Sequence, residues 1–235
     1  MTPEEVRALN ARFASTHPSE VIRWAFETFR PDVAVSSSFG AESAALLHMA
    51  VQADPAVSVR TVDTGFLFPE TLAFMEELRR RFSLNLQVYR TKMDVEQFKR
   101  DHAHLPIEHP DYCCGEYKVE AMTRALAGLR GWITGIRRDQ AGTRKATPFV
   151  ERLDTGVVKV APLAGWSRKQ VHAYMQEHGL PYHPLWHQGY TSIGCYPCTQ
   201  KPLDPHDPRS GRWAGQSKTE CGIHDIGKTK PDQPT

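Results

Sequence analysis

Apolar residues recur at helical spacing near the start of the chain, where Val21, Ile22, Ala25, Phe26 and Phe29 are interleaved with Arg23, Glu27 and Arg30. That step of three to four residues buries one face of an amphipathic helix, and it predicts one or two leading helices. The period then changes. Residues 32–37 (DVAVSS) are a short apolar run closed by a Ser/Gly turn, which reads as a buried strand, and a helix follows over 42–51. The unit repeats as a strand at 57–62 (VSVRTV), a loop at 63–70, a helix at 71–82 and a strand at 84–89 (LNLQVY). GWITG at 131–135 adds a strand, and Ser167 opens a helix that runs to Glu177 and stops near Gly179-Leu180-Pro181. Strands alternating with helices at this spacing predict an α/β fold, with a mainly parallel sheet and helices on both faces.

From His183 onward the periodicity gives way to Pro, Gly, His and Cys. The expected organisation is an α/β domain over 1–182 and a C-terminal segment, 183–235, that folds back over it as part of one structural unit. The segment has too few apolar residues to build a core of its own. With 235 residues, 40% hydrophobic and 24% charged, the composition excludes disordered and fibrous classes. No apolar run approaches the roughly 18–20 residues of a membrane span, and the N-terminus (MTPEEVRALNARF) is charged, so a cytoplasmic protein is expected.

A net charge of +2 gives no global reason to expect nucleic-acid binding. Its distribution is more telling: Arg124 to Lys169 holds ten basic residues against three acidic ones. Within that stretch Arg137, Arg138 and Arg144 follow the GWITG strand, at the same sheet edge as the Ser36-Ser37-Ser38-Phe39-Gly40-Ala41-Glu42-Ser43 loop if the strands are parallel. Guanidinium forks grip phosphate and sulfate oxygens. Small residues ahead of a helix N-terminus let backbone N–H groups approach the same anions. A solvated basic loop and a helix cap at Ser38 are the plainer explanations. Asp63, in Val62-Asp63-Thr64-Gly65, is placed to take a ribose hydroxyl or to make an ordinary Asx turn.

The five cysteines fall into two pairs and a single residue. Cys113 and Cys114 are adjacent, Cys195 and Cys198 form a C-x-x-C loop, and Cys221 stands alone in Glu220-Cys221-Gly222-Ile223-His224. Neighbouring Cα atoms lie about 3.8 Å apart, too close for a relaxed disulfide. Two pairs supply four thiolates, which suits tetrathiolate zinc or a [4Fe–4S] cluster; an adjacent pair favours the polynuclear centre, whose separate iron atoms can each take one sulfur. A zinc-ribbon nucleic-acid module would need a broader basic face. Cys221, beside basic residues and His224, is a candidate nucleophile.

Together these residues resemble the assimilatory sulfonucleotide reductases, specifically the iron–sulfur type that reduces adenosine 5′-phosphosulfate (APS). The likeness rests on Ser36 to Ser43, Asp63 to Gly65, Arg137 to Arg144, the two cysteine pairs, Arg209-Ser210-Gly211-Arg212-Trp213 and Glu220 to His224. It implies an adenine nucleotide α-hydrolase-like fold with a nucleotide-binding domain over 1–182. The activity implied is reduction of APS to sulfite and AMP, in sulfate assimilation and cysteine biosynthesis. Cys221 would attack sulfur and carry the sulfo group until thioredoxin, or a glutaredoxin-like thiol donor, releases it. Cys113, Cys114, Cys195 and Cys198 would hold [4Fe–4S]. Ser37, Ser38, Gly40, Asp63, Lys118, Arg137, Arg144, Arg209, Arg212 and His224 would contact substrate. No nucleic acid or membrane partner is implied. Reductases of the 3′-phosphorylated nucleotide (PAPS) commonly lack the quartet, which favours APS. ATP-pyrophosphatase-type adenylyl transferases and tRNA thiolation enzymes use a Ser-Gly-Gly-x-Asp-Ser loop; here Phe39 takes a glycine position and Glu42 the Asp position. The family usually has Arg before the lysine that follows the Cys-Cys pair, whereas this chain has Tyr117 before Lys118.

Overall fold

The computed structural model describes residues 1–227 except 93, 103 and 205, so the last eight residues of the C-terminal segment, 228–235, lie outside the described residues. Its elements run α1 (Pro3–Phe13), α2 (Pro18–Phe29), β1 (Val33–Ser36), α3 (Ser43–Ala53), β2 (Ser58–Asp63), α4 (Pro69–Arg81), β3 (Asn85–Arg90), α5 (Val95–His102), α6 (Leu105–Glu108), α7 (Pro110–Cys114), α8 (Glu120–Leu126), β4 (Gly131–Thr134), β5 (Val150–Arg152), β6 (Val158–Val160) and α9 (Arg168–Glu177). The six strands form one sheet in the order β3-β2-β1-β4-β6-β5. Every neighbouring pair is parallel except β5 with β6.

Strand alternation sorts side chains onto two faces. Val33 and Val35 of β1, Val59 of β2 and Ile133 of β4 join the large core with α2, α3, α4 and α9. Ala34 and Trp132 face the other way, onto Met122, Ala125 and Leu126 of α8. Gly131 opens β4 because a Cβ there would meet the Phe29 ring at 2.7 Å. At the β5 edge, Asn10 of α1 accepts the Phe149 and Val150 N–H groups at 2.7 and 3.1 Å and donates to the Val150 carbonyl at 2.7 Å. Its amide thereby engages an edge backbone that would otherwise invite a foreign strand.

Connections leave β1 toward β2 on one side, while β4 lies on the other. That reversal is the switch point where open α/β sheets bind ligands, beyond the carboxyl ends of the strands. Ser36 and Thr134 are register partners there, so the Ser-rich loop and the arginine loop leave the sheet side by side.

Candidate active site

A cavity of about 240 Å³ opens at this switch point. Ser36, Ser37, Ser38 and Gly40 line it from the β1 end, Gly135 to Arg137 from the β4 end, and Arg209, Arg212, Trp213, Cys221 and His224 from the C-terminal segment. Helix α3 starts with Glu42 as its cap rather than Ser38. Ser37 Oγ instead accepts the Phe39 N–H at 3.1 Å, which tightens the turn. Phe39 has φ +48° and is buried. This is the left-handed conformation that favours glycine; here burial of the ring holds a phenylalanine in it.

The arginines have different duties. Arg137, only 2% exposed, pairs with Glu42 at 2.6 Å and Asp139 at 2.9 Å, tying the two loops together. Burial opposes its charge, but the Glu42 and Asp139 carboxylates hold its pKa above the ordinary value. Arg144 grips Glu220 bidentately, with Nε to Oε1 at 2.7 Å and Nη2 to Oε2 at 2.6 Å. Arg209 reaches the same carboxylate at 3.2 Å and the Ser192 hydroxyl at 3.3 Å. Burial, then Arg144, pushes Arg209 down to about 10, which leaves it a cation at neutral pH. Glu220 resists burial because Arg144 and Arg209 hold its pKa below the carboxylate range.

Lys118 lies in a five-residue π-helical turn, Gly115–Val119, between α7 and α8. Such turns add a residue to the helix and re-aim side chains, often at functional sites. Lys118 and Arg212 line both the large cavity and a second one bounded by Cys113, Cys114, Cys195 and Cys198. A side chain at Gly194 would run into the Arg212 guanidinium. Cys221 packs against Cys114, Cys198 and Trp213. Burial raises its thiol pKa, yet Lys118, the Ile223 N–H and Arg212 outweigh that and bring it below the ordinary value.

A model of the phosphoadenosine phosphosulfate reductase domain matches residues 32–201. The chain belongs to that family. Curated relatives cover it almost end to end: an adenosine 5′-phosphosulfate reductase of Streptomyces coelicolor is 41% identical, with 95% of this chain and 96% of the relative aligned. A phosphoadenosine 5′-phosphosulfate reductase of Gloeobacter violaceus is 43% identical over 88% of each. Among solved structures, the phosphate complex of a PAPS reductase from Candida auris matches with TM-score 0.76 at 30% identity, covering 85% of this chain and 98% of that one. An FMN adenylyltransferase from Candida glabrata shares the fold, with TM-score 0.62 at 17% identity over 86% of this chain and 66% of that one. Family membership makes the protein an oxidoreductase acting on a sulfur group.

The four paired cysteines form no disulfide. Burial, then the neighbouring thiols, pushes Cys113 up to about 12. Burial also pushes Cys114 up to about 11, against the pull of Lys118. Among the described residues no three His, Cys, Asp or Glu side chains converge as ligands of a single ion. Four thiols around one recess, three of them buried and that of Cys195 partly so, with a lysine beside them, are a donor set that fits a polynuclear thiolate centre, which would also draw off their protons.

Asp63 is not part of the cavity wall. Its carboxylate accepts the Gly65 N–H at 2.9 Å and pairs with Arg90 at 3.0 Å, as an Asx turn does. Tyr117 packs its ring edge-on against Phe66. Sequence reasoning overlooked Glu220 as the shared partner of Arg144 and Arg209. A glutamate beside the lone cysteine of a segment otherwise rich in cations was the available signal. Trp132 was also overlooked; its indole donates to Ser36 Oγ at 2.7 Å and stacks on His224.

Proposed function

We propose that the protein reduces APS to sulfite and AMP with a dithiol protein of the thioredoxin or glutaredoxin kind as reductant. The observation supporting this is the pair Lys118 and Arg212, which line both the cavity containing Cys221 and the recess of the cysteine quartet. Relatives at similar identity carry both APS and PAPS reductase names, so the quartet is what favours APS.

Cys113, Cys114, Cys195 and Cys198 would hold a [4Fe–4S] cluster that supplies electrostatic and structural support, not electrons. The Ser37 to Gly40 loop, the cations Lys118, Arg144, Arg209 and Arg212, and the His224 side chain would receive the phosphate and sulfate oxygens, with Arg137 fixing the two loops. Arg144 and Arg209 would exchange Glu220 for those oxyanions. The Cys221 thiolate attacks sulfur; the bond from sulfur to the bridging phosphate oxygen breaks, and AMP leaves with the electron pair. One thiolate of the reductant then attacks Cys221 Sγ and expels sulfite, and its second thiol closes the reductant's disulfide and frees Cys221.

Comparison of kcat/KM for APS and PAPS tests the substrate. A clear preference for APS is expected, and a preference for PAPS would overturn the assignment.

A further inference from the structure

Lys159 sits at the centre of β6 opposite Trp132 of β4 and is 4% exposed. Lysines are seldom buried so fully unless paired. Its ammonium lies 3.5 Å from Glu151, 5.4 Å from the Trp132 ring centre, and donates to the His224 backbone carbonyl at 2.9 Å. The shortest of these contacts goes to the C-terminal segment, which also packs beside Lys159 on Trp132, its register partner. Ile223 and Ile226 pack on the cluster containing Trp132, Leu153 and Val157. The His224 ring stacks over Trp132 with planes 13° apart, and the Gly227 carbonyl accepts the Asp154 N–H at 2.8 Å.

The segment around Cys221 is therefore anchored on both sides. Upstream, Glu220 is held by Arg144 and Arg209; downstream, residues 223–227 are held by the sheet. On the function proposed above, substrate claims both arginines, so the upstream anchor is the one that lets go. A short turn, Ile223–Asp225, preceded by Gly222 at φ +82°, connects the downstream anchor to Cys221.

We propose that Lys159 is a positioning residue: through the His224 carbonyl it docks residues 222–227 on β4 to β6 and so fixes the Cys221 thiol at the substrate cavity. The Glu151 pair alone would make Lys159 a strut of the sheet edge, and the test separates the two. Full-length wild type, Lys159→Met, Lys159→Arg and Glu151→Gln are compared by hydrogen-exchange mass spectrometry, with Lys159→Gln replacing the Met variant should that not fold. In Lys159→Met the peptide over 219–227 is expected to exchange faster by on the order of tenfold, the scale of one lost charge-assisted hydrogen bond, while β1 and α3 keep their protection. Lys159→Arg restores much of the difference, and Glu151→Gln behaves as wild type. Single-turnover sulfo-adduct formation at Cys221 slows in Lys159→Met and is restored in large part by Lys159→Arg. Wild-type exchange of the tail in Lys159→Met, or equal loosening by Glu151→Gln, would overturn the proposal. Loosening in Lys159→Met with no adduct in the wild type would uphold the docking role and overturn the proposed function instead.

Discussion

Glu220→Gln removes one negative charge from between two arginines whose side chains are only 11% and 12% exposed. The amide keeps one acceptor for Arg144 Nε and the Thr143 hydroxyl, now 2.7 and 3.0 Å away. It loses the oxygen that takes Arg144 Nη2 at 2.6 Å and Arg209 Nη2 at 3.2 Å. A hydrogen bond to a charged group contributes about 1.5–3 kcal/mol. Arg209 retains the Thr219 carbonyl at 2.8 Å, so the net loss is about 2–4 kcal/mol. At about 2–4 °C per kcal/mol for a chain of this size, Tm falls by about 4–16 °C. Ligand then discriminates between a fold contact and a substrate site. In a Cys221→Ser background, which cannot turn APS over, saturating APS supplies the missing anion. Its stabilisation should therefore be larger with Glu220→Gln than without, because the competing carboxylate is gone and Kd falls. Thermal unfolding with and without APS measures both increments. Equal increments would refute the idea that Arg144 and Arg209 exchange Glu220 for substrate.

Three further outcomes are expected. Burial pushes His183 down to about 4 from 6.5, so its neutral form stabilises the fold fully above pH 6.5, and that contribution is lost as pH falls toward 4. At 1.36 kcal/mol per unit this amounts to roughly 3 kcal/mol, and His183→Gln should flatten the pH dependence of Tm over that interval. Glu220 has the same sign at lower pH: its latch is complete above 4.5 and is lost as pH falls through its depressed pKa, so the Tm difference between wild type and Glu220→Gln should vanish in strong acid. Anaerobically purified protein should carry iron with matching acid-labile sulfide, lost in Cys198→Ser; stoichiometric zinc without sulfide would refute the cluster.

The strands that position the site were legible because each is a short apolar run closed by turn residues: 32–37, 57–62, 84–89 and 131–135 anticipate β1 to β4 within about a residue. The start of α4 at Pro69 was read two residues late, although proline at the first helical position is itself a start signal. Strands β5 and β6, three residues each, are too short for a period to register. No pattern announces the π-helical turn at Gly115–Val119, since its extra residue alters the aim of Lys118 without altering composition. Side-chain pairing was the least legible level. The Arg144–Glu220 contact spans 76 positions, and whether an arginine faces a carboxylate or a ligand depends on where the chain returns.

The most direct test of the account is the mass of the protein after incubation with APS and no reductant. One added SO3 group is expected, on the peptide containing Cys221, absent in Cys221→Ser and released as sulfite when thioredoxin is supplied. Sulfite formation by Cys221→Ser at the wild-type rate, or a sulfo group on Cys113, Cys114, Cys195 or Cys198, would contradict it.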